Sequence, residues 1–350
     1  MSVNFDLLKT LCETPGVPSQ EDQIRAVVSR ELATMTDSQE TDRMGNVIAQ
    51  KKGSGGPRVM IAAHLDEIGF IVRHIDDRGF LSLQPVGGFD PRQLCSQRMI
   101  VHGFAGESLR GAMAYGAKPT HLLTPEEAKA GMKLENFFVD LGLSADAVNE
   151  KVRVGDMVTL DRTCERVGDC VMSKSLDNRI GVFVMLEAVR KLGSHQAEIF
   201  PVATVQEEVG LRGATTAAYQ VEPDIGIALD VTLAVDQPGI GAADRITSLG
   251  DGAAIKIMDG SLICHPKLVD HFRSVAVERE IKHQMEVLPR GGTDAGALQR
   301  SRGGVPSITL SVPCRYVHTV NEMVNLADLE NAIDLLAAYL EAAHEGDYSY

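Results

Sequence analysis

Apolar positions recur along this chain with two periods, and the places where the period changes outline its architecture. Ile24, Val27, Val28 and Leu32 fall at i, i+3, i+4 and i+8, one face of a helix, with Ser19 before them as the expected N-cap. A short strand pattern at Asn46 to Gln50 and the glycine-rich turn Gly53 to Gly56 lead into Pro57 to Ile71, which opens as an apolar strand. After Cys170 the rhythm returns with a helix over Asn178 to Leu192, closed by Arg190, Lys191 and Gly193. Strands follow at Ile199 to Val205 and Ile225 to Leu229. Pro266 opens a helix with Leu268, Phe272 and Val275 on one face, and a strand at Ser307 to Val312 precedes a last helix carrying Leu329, Ile333, Leu336 and Leu340. Strands separated by helices predict an α/β fold, with a mainly parallel or mixed sheet covered on both faces.

From Arg73 to Gly168 long helical periodicity is lacking. Short apolar runs such as Met99 to Val101 and Asp156 to Leu160 alternate with Gly, Pro and charged turns, which predicts a small β-rich insertion. The main domain is therefore expected to be discontinuous, residues 1–72 and 169–350, interrupted by 73–168. A chain of 350 residues has room for two cores.

Composition narrows the function classes. A formal net charge of -14 argues against nucleic acid, whose phosphates demand basic surface, and against anionic membranes. The N-terminus shows neither a signal peptide nor an anchor, and no stretch reaches spanning length. Cys12, Cys95, Cys164, Cys170, Cys264 and Cys314 are scattered without a CxxC pair. Reduced thiols and a cytoplasmic location are the expectation.

Chemistry enters where strands end. The run PRVMIAAHLDEIGFI breaks from apolar into His64, Asp66 and Glu67, three groups that are costly to desolvate unless a metal, a partner charge or water receives them. In open α/β sheets ligands bind beyond the carboxyl ends of the strands. There FPVATVQ delivers Glu207 and Glu208, DIGIAL delivers Asp230 and ITLSVPCRYV delivers His318, while Asp177 lies at a helix entrance. Singly each has a plain structural reading: a hydrogen-bonded imidazole, a helix cap, a solvated pair. Four strands delivering imidazoles and carboxylates to one edge point to a metal, of the zinc, cobalt or manganese kind. In an extended strand Asp66 shares a side with His64 and is expected to hydrogen-bond the imidazole or order the site. Glu207 and Glu208 face one site only if their strand is ending, as Val209-Gly210 suggests; one then binds metal while its neighbour takes a proton from water. Glu67 is expected to be structural.

At these residues the chain resembles the M42 family of metallo-aminopeptidases, the glutamyl aminopeptidase and tetrahedral aminopeptidase group. The matching motifs are AHLDEIGF at His64, VDLG and VGDMV between Val139 and Val158, KSLDNRIG at Asp177, EEVGLRGA from Glu207, ALD at Asp230, GGTDAGA from Gly291 and RYVHT at His318. The resemblance implies an α/β/α zinc-peptidase domain with an inserted barrel-like dimerisation domain. It implies two divalent ions per subunit, zinc, cobalt or manganese, bridged by Asp177, with His64 and Asp230 completing one site and Glu208 and His318 the other. Glu207 would be the general base, the reaction being hydrolysis of the N-terminal bond of short peptides by water activated at the metals; Asp66, the same-face supporter of His64, is the other residue expected to be catalytic. Homo-oligomers are implied, built from dimers and in many members reaching twelve-subunit tetrahedra. In GGTDAGA, Thr293 and Asp294 are expected to cap a following helix rather than contact substrate.

Other readings keep part of this chemistry. A carboxypeptidase or deacylase uses a similar metal core on a different bond, and a glycosidase uses carboxylate pairs. Two imidazoles, 5% aromatics and no Trp argue against the glycosidase. A non-catalytic metal-binding scaffold is disfavoured by the complete set of ligands together with Glu207.

Overall fold

The chain folds around strands that are apolar on both faces. The computed structural model describes residues 3–116, 118, 120–125, 129 and 131–350. It opens with α1 (Phe5–Glu13), α2 (Asp22–Leu32), β1 (Ser38–Thr41), β2 (Val47–Gln50) and β3 (Arg58–His64). Ile24, Val27, Val28 and Leu32 are the buried face of α2, as their spacing predicts. The expected cap does not form. Ser19 takes a left-handed backbone (φ 74°) and donates its own N–H to Glu21 Oε1 at 2.8 Å, so α2 begins beyond Glu21 without a side-chain cap.

Next come β4 (Gly69–Ile75), β5 (Leu81–Val86), β6 (Arg98–His102), β7 (Ser108–Tyr115), β8 (Phe137–Asp140), α3 (Ala145–Asn149) and β9 (Met157–Leu160). Six strands close into a barrel in the order β4-β5-β8-β7-β6-β9, all pairings antiparallel. Its interior is a separate core that includes Phe70, Val72, Leu83, Met99, Val101, Val139 and Val158. Closure pairs every strand on both sides and leaves no free edge.

The chain then returns through β10 (Glu165–Val167), β11 (Cys170–Ser173), α4 (Leu176–Lys191), β12 (Glu198–Thr204), α5 (Arg212–Val221), β13 (Ile225–Leu233) and β14 (Ala253–Met258). It ends with α6 (Pro266–Glu278), β15 (His283–Val287), α7 (Ala295–Gln299), β16 (Ser307–Arg315), β17 (Glu322–Asn325) and α8 (Leu326–Ala342). The large sheet has 11 strands in a mixed arrangement, β1-β2-β12-β3-β13-β16-β17-β11-β10, with β14 and β15 branching from β16. Its centre, β12-β3-β13-β16, is parallel.

Alternation along β3 shows how both faces are covered. Val59, Ile61 and Ala63 join the core made with α1, α2, α4, α6 and α8, while Met60 and Ala62 join the core made with α5 and α7. Each such Val or Ile, fully buried, contributes roughly 1.5–3 kcal/mol. Among the described residues no helix is long and apolar enough to cross a membrane, and all six cysteines are free thiols.

Candidate functional site

The parallel centre of the sheet brings four strand ends to one edge. β3 stops at His64, which lies in register with Thr204 at the end of β12, and Asp230 on β13 lies in register with Ser311 on β16. Three residues past Thr204 the chain reaches Glu207, followed by Glu208, and beyond Arg315 it reaches His318. Asp177 enters from the start of α4. Six of the residues singled out in the sequence, all but Asp66, thus converge on one cavity.

Asp177 is the centre of the arrangement. Its Oδ1 lies 3.3 Å from His64 Nε2 and its Oδ2 lies 3.3 Å from His318 Nε2. His64 Nε2 also faces Asp230 Oδ1 at 3.9 Å and Glu207 Oε2 at 3.8 Å, and His318 Nε2 faces Glu208 Oε1 at 3.4 Å. Among the described residues three sets offer donor atoms within 4.8 Å of one another: His64, Asp177 and Asp230; Asp177, Glu208 and His318; and His64, Glu207 and Glu208. The first two share Asp177 through different oxygens.

Local backbone makes each group available. Asp177 and Asn178 depart from helical dihedrals, so the regular helix is capped one residue later, by Asn178 Oδ1 accepting the Gly181 N–H at 3.0 Å. This frees the Asp177 carboxylate from capping. β12 ends before the glutamates because Gln206 adopts a left-handed conformation (φ 56°) and the Gly210 and Leu211 N–H groups both return to the Glu207 carbonyl. That turn lets adjacent glutamates face one cavity.

Of the two roles expected for the Asp66 side chain, its contacts fit the ordering of the site and not a bond to the imidazole. The main-chain oxygen of Asp66, not its side chain, lies 3.0 Å from His64 Nδ1, which places the imidazole proton there and turns Nε2 to the site. The Asp66 carboxylate is 3.7 Å from that nitrogen; it accepts instead the Glu207 and Glu208 N–H groups, at 3.0 and 3.1 Å. β3 ends at His64, so the same-side rule for an extended strand no longer applies. Glu67 is buried against Lys174, Nζ to Oε2 2.6 Å, a structural ion pair as expected.

The expected cap in GGTDAGA also gives way to other contacts. Asp294 precedes α7 but makes no side-chain cap; its Oδ2 accepts Thr204 Oγ1 at 2.5 Å. Thr293 donates to Asp259 Oδ2 at 3.1 Å and lines the site cavity.

Two further residues act here without any sequence signal that separates them from solvated acids. Glu322 accepts the His318 N–H through Oε1 at 2.8 Å and the Asp177 N–H through Oε2 at 3.0 Å, joining the two ends of the cluster. Glu21 accepts the Gln206 N–H at 3.2 Å.

Burial opposes charge throughout the cluster. Desolvation pushes up the carboxyls of Glu207, Glu208 and Asp230, with the Asp177 charge adding at Asp230. Burial would also raise Asp177, but hydrogen bonds to His318 and His64 outweigh it and hold that carboxyl below the usual range. Desolvation depresses the imidazoles, yet the facing acids win: His64 is held well above its ordinary value by Glu207 and Asp177, and His318 is raised to about 12 by Asp177 and Glu208. Four carboxylates against two imidazoles in a buried space is surplus negative charge, which divalent cations neutralise. The mixed nitrogen and oxygen donor set fits zinc, cobalt or manganese.

The cluster lines a cavity of about 510 Å³ whose other walls include Leu211, Leu233, Leu288, Arg290 and Val317. That volume is in the range of small-molecule sites.

Comparison with known proteins gives concordant results. The profile described as M42 glutamyl aminopeptidase matches residues 45–335. A lysyl aminopeptidase of Pyrococcus furiosus is 37% identical over 99% of both chains. The structure of an aminopeptidase from the archaeon Desulfurococcus kamchatkensis superposes with a TM-score of 0.93 at 38% identity, covering 99% of this chain and 98% of that one. The TET1 peptidase of Pyrococcus horikoshii, described as able to assemble into a tetrahedron or a large octahedral shell, is 33% identical with a TM-score of 0.84, covering 96% and 98%.

Proposed function

Since the chain belongs to the M42 glutamyl aminopeptidase family and is an aminopeptidase, we propose that it releases the N-terminal residue of short peptides at a site for two divalent metal ions. In this reading His64, Asp177 and Asp230 hold one ion and Asp177, Glu208 and His318 the other. The observation that carries it is the division of the Asp177 carboxylate, one oxygen toward each imidazole at 3.3 Å. When bound, such ions polarise a carbonyl and make water a nucleophile near neutral pH.

The remaining groups divide the work on the substrate. Glu207 lies outside both ligand sets joined by Asp177, with Oε2 still 3.8 Å from His64 Nε2. It is the base that takes a proton from the attacking water and returns it to the leaving amine. Asp66 holds the glutamate backbone and is a positioning residue. The free ammonium of the substrate is drawn to the cluster's carboxylates, which restricts cleavage to the first bond.

The domain division read from the sequence, 73–168 inserted between 1–72 and 169–350, belongs to the same proposal with its ends moved inward of 168 and ahead of 73, since the barrel strands run from Gly69 to Leu160 and β10 is already in the large sheet. The barrel is then the dimerisation module of a homo-oligomer; the assembly of the related TET1 peptidase supports the homo-oligomer. Light scattering on purified protein tests it.

Peptides with free and N-acetylated termini test the activity. The enzyme should hydrolyse the free series and reject the blocked one; release of C-terminal residues, or equal cleavage of both series, would instead favour a carboxypeptidase or deacylase.

A further inference from the structure

We propose that a second cavity, on the barrel side of His318, binds the peptide segment that follows the scissile bond, with Phe89 and Tyr316 as side walls for the residue after the cleaved one. This deepens the aminopeptidase reading and rests on it. The second cavity, of about 760 Å³, shares Leu233, Val317 and His318 with the catalytic one, so the two meet at His318.

Charge sets the direction of the substrate. Asp177, Glu207, Glu208 and Asp230 all line the first cavity and none of them lines the second. A cationic N-terminus therefore seats in the first. Asp90 is the one carboxylate of the second, and both its oxygens are engaged by Arg92 Nε, at 3.0 and 2.9 Å. The downstream chain passes His318 into that less acidic space.

The walls come from both parts of the fold. Gly88, Phe89, Asp90 and Gln93 follow β5 of the barrel, while Tyr316 to Asn321 connect β16 and β17 of the sheet. A Cβ at Gly88 would lie 3.4 Å from His318 Nδ1, and one at Gly87 would lie 3.3 Å from Glu208 Oε2 and 2.4 Å from Ile68. Glycines let the barrel backbone approach the edge of the site this closely. Phe89 is held by stacking on Phe70, centroids 4.4 Å apart, and Tyr316 lines the cavity half-exposed. Aromatic walls with the polar ends of Gln93 and Gln237 suit a peptide carrying an apolar side chain.

The test compares three substrates sharing one N-terminal residue: its amide, whose leaving group is ammonia, a tripeptide with Gly second, and a tripeptide with Phe second. With metal-loaded wild-type enzyme kcat/KM should rise in that order. Tyr316→Ala, on an exposed loop, and Phe89→Ala should each lower the ratio of Phe-tripeptide to amide about three- to tenfold, chiefly through KM. An unchanged ratio in Tyr316→Ala at an unchanged melting temperature would overturn the subsite while leaving the aminopeptidase reading intact. Absence of turnover on all three substrates would overturn both.

Discussion

Asp66 grips Glu207 by its backbone: one carboxylate oxygen accepts the Glu207 N–H at 3.0 Å, and the other accepts the adjacent Glu208 N–H at 3.1 Å. With Glu21 receiving the Gln206 N–H, three successive amides are anchored by two buried acids. The glutamates therefore enter the cavity from a turn whose conformation is imposed from behind.

Removing that anchor should cost turnover before it costs the fold. Each lost hydrogen bond to a charged acceptor is worth about 1.5–3 kcal/mol, and Asp66→Ala loses two. We expect kcat to fall at least about tenfold in Asp66→Ala, with Asp66→Asn, which retains one acceptor, intermediate. Steady-state kinetics beside a thermal melt decide it; equal rates in all three proteins would refute the positioning role.

Glu207→Gln separates proton transfer from metal binding. The amide is nearly isosteric but takes no proton, so kcat should drop by roughly 10²-fold or more. Metal content, measured by plasma mass spectrometry, should match wild type. Loss of metal in this variant would move Glu207 into the ligand set with His64 and Glu208.

Because Asp177 offers an oxygen to each imidazole, its removal should weaken both ions, whereas His318→Ala should weaken one. Calorimetric titration of the metal-free proteins gives the stoichiometries. Chelation of the wild type should abolish activity and lower the melting temperature, since ions held by the native state alone stabilise it. Zinc, cobalt or manganese should restore both, and a chelated enzyme of full activity would refute the metal site.

Glu67 and Lys174 are buried together, with Arg179 Nη2 a further 3.7 Å from Glu67. Truncating Glu67 to Ala leaves buried cations unpaired, a cost of about 3–5 kcal/mol. Denaturant melts should show this loss, with Glu67→Leu/Lys174→Met recovering part of it. A shift below about 1 kcal/mol for Glu67→Ala, the scale of a surface pair, would mean that the pair is solvated.

Much of the architecture was legible in the one-dimensional pattern. The face Ile24, Val27, Val28 and Leu32 and the face Leu329, Ile333, Leu336 and Leu340 are buried as their spacing requires. Strands predicted at Asn46 to Gln50, Ile199 to Val205, Ile225 to Leu229 and Ser307 to Val312 form with small changes at their ends. The periodicity is read locally because burial of one face is a local demand on residue type. Caps were less legible: Ser19 and Asp294 are good capping residues by type, yet each is claimed by a partner distant or differently oriented, Glu21 for Ser19 and Thr204 for Asp294.

By itself the sequence determined the family, through its motifs, and singled out the candidates for the chemistry: two imidazoles and a set of carboxylates placed where apolar strands stop. Only the tertiary structure decided how they are used. The Asp66 carboxylate turned from His64 to the glutamate amides, Asn178 took the cap that released Asp177, and Glu322, 145 residues along the chain from Asp177, joined it to His318. Hydrogen bonds between distant segments depend on relative orientation at the scale of an ångström, and no local pattern of polar and apolar positions encodes that.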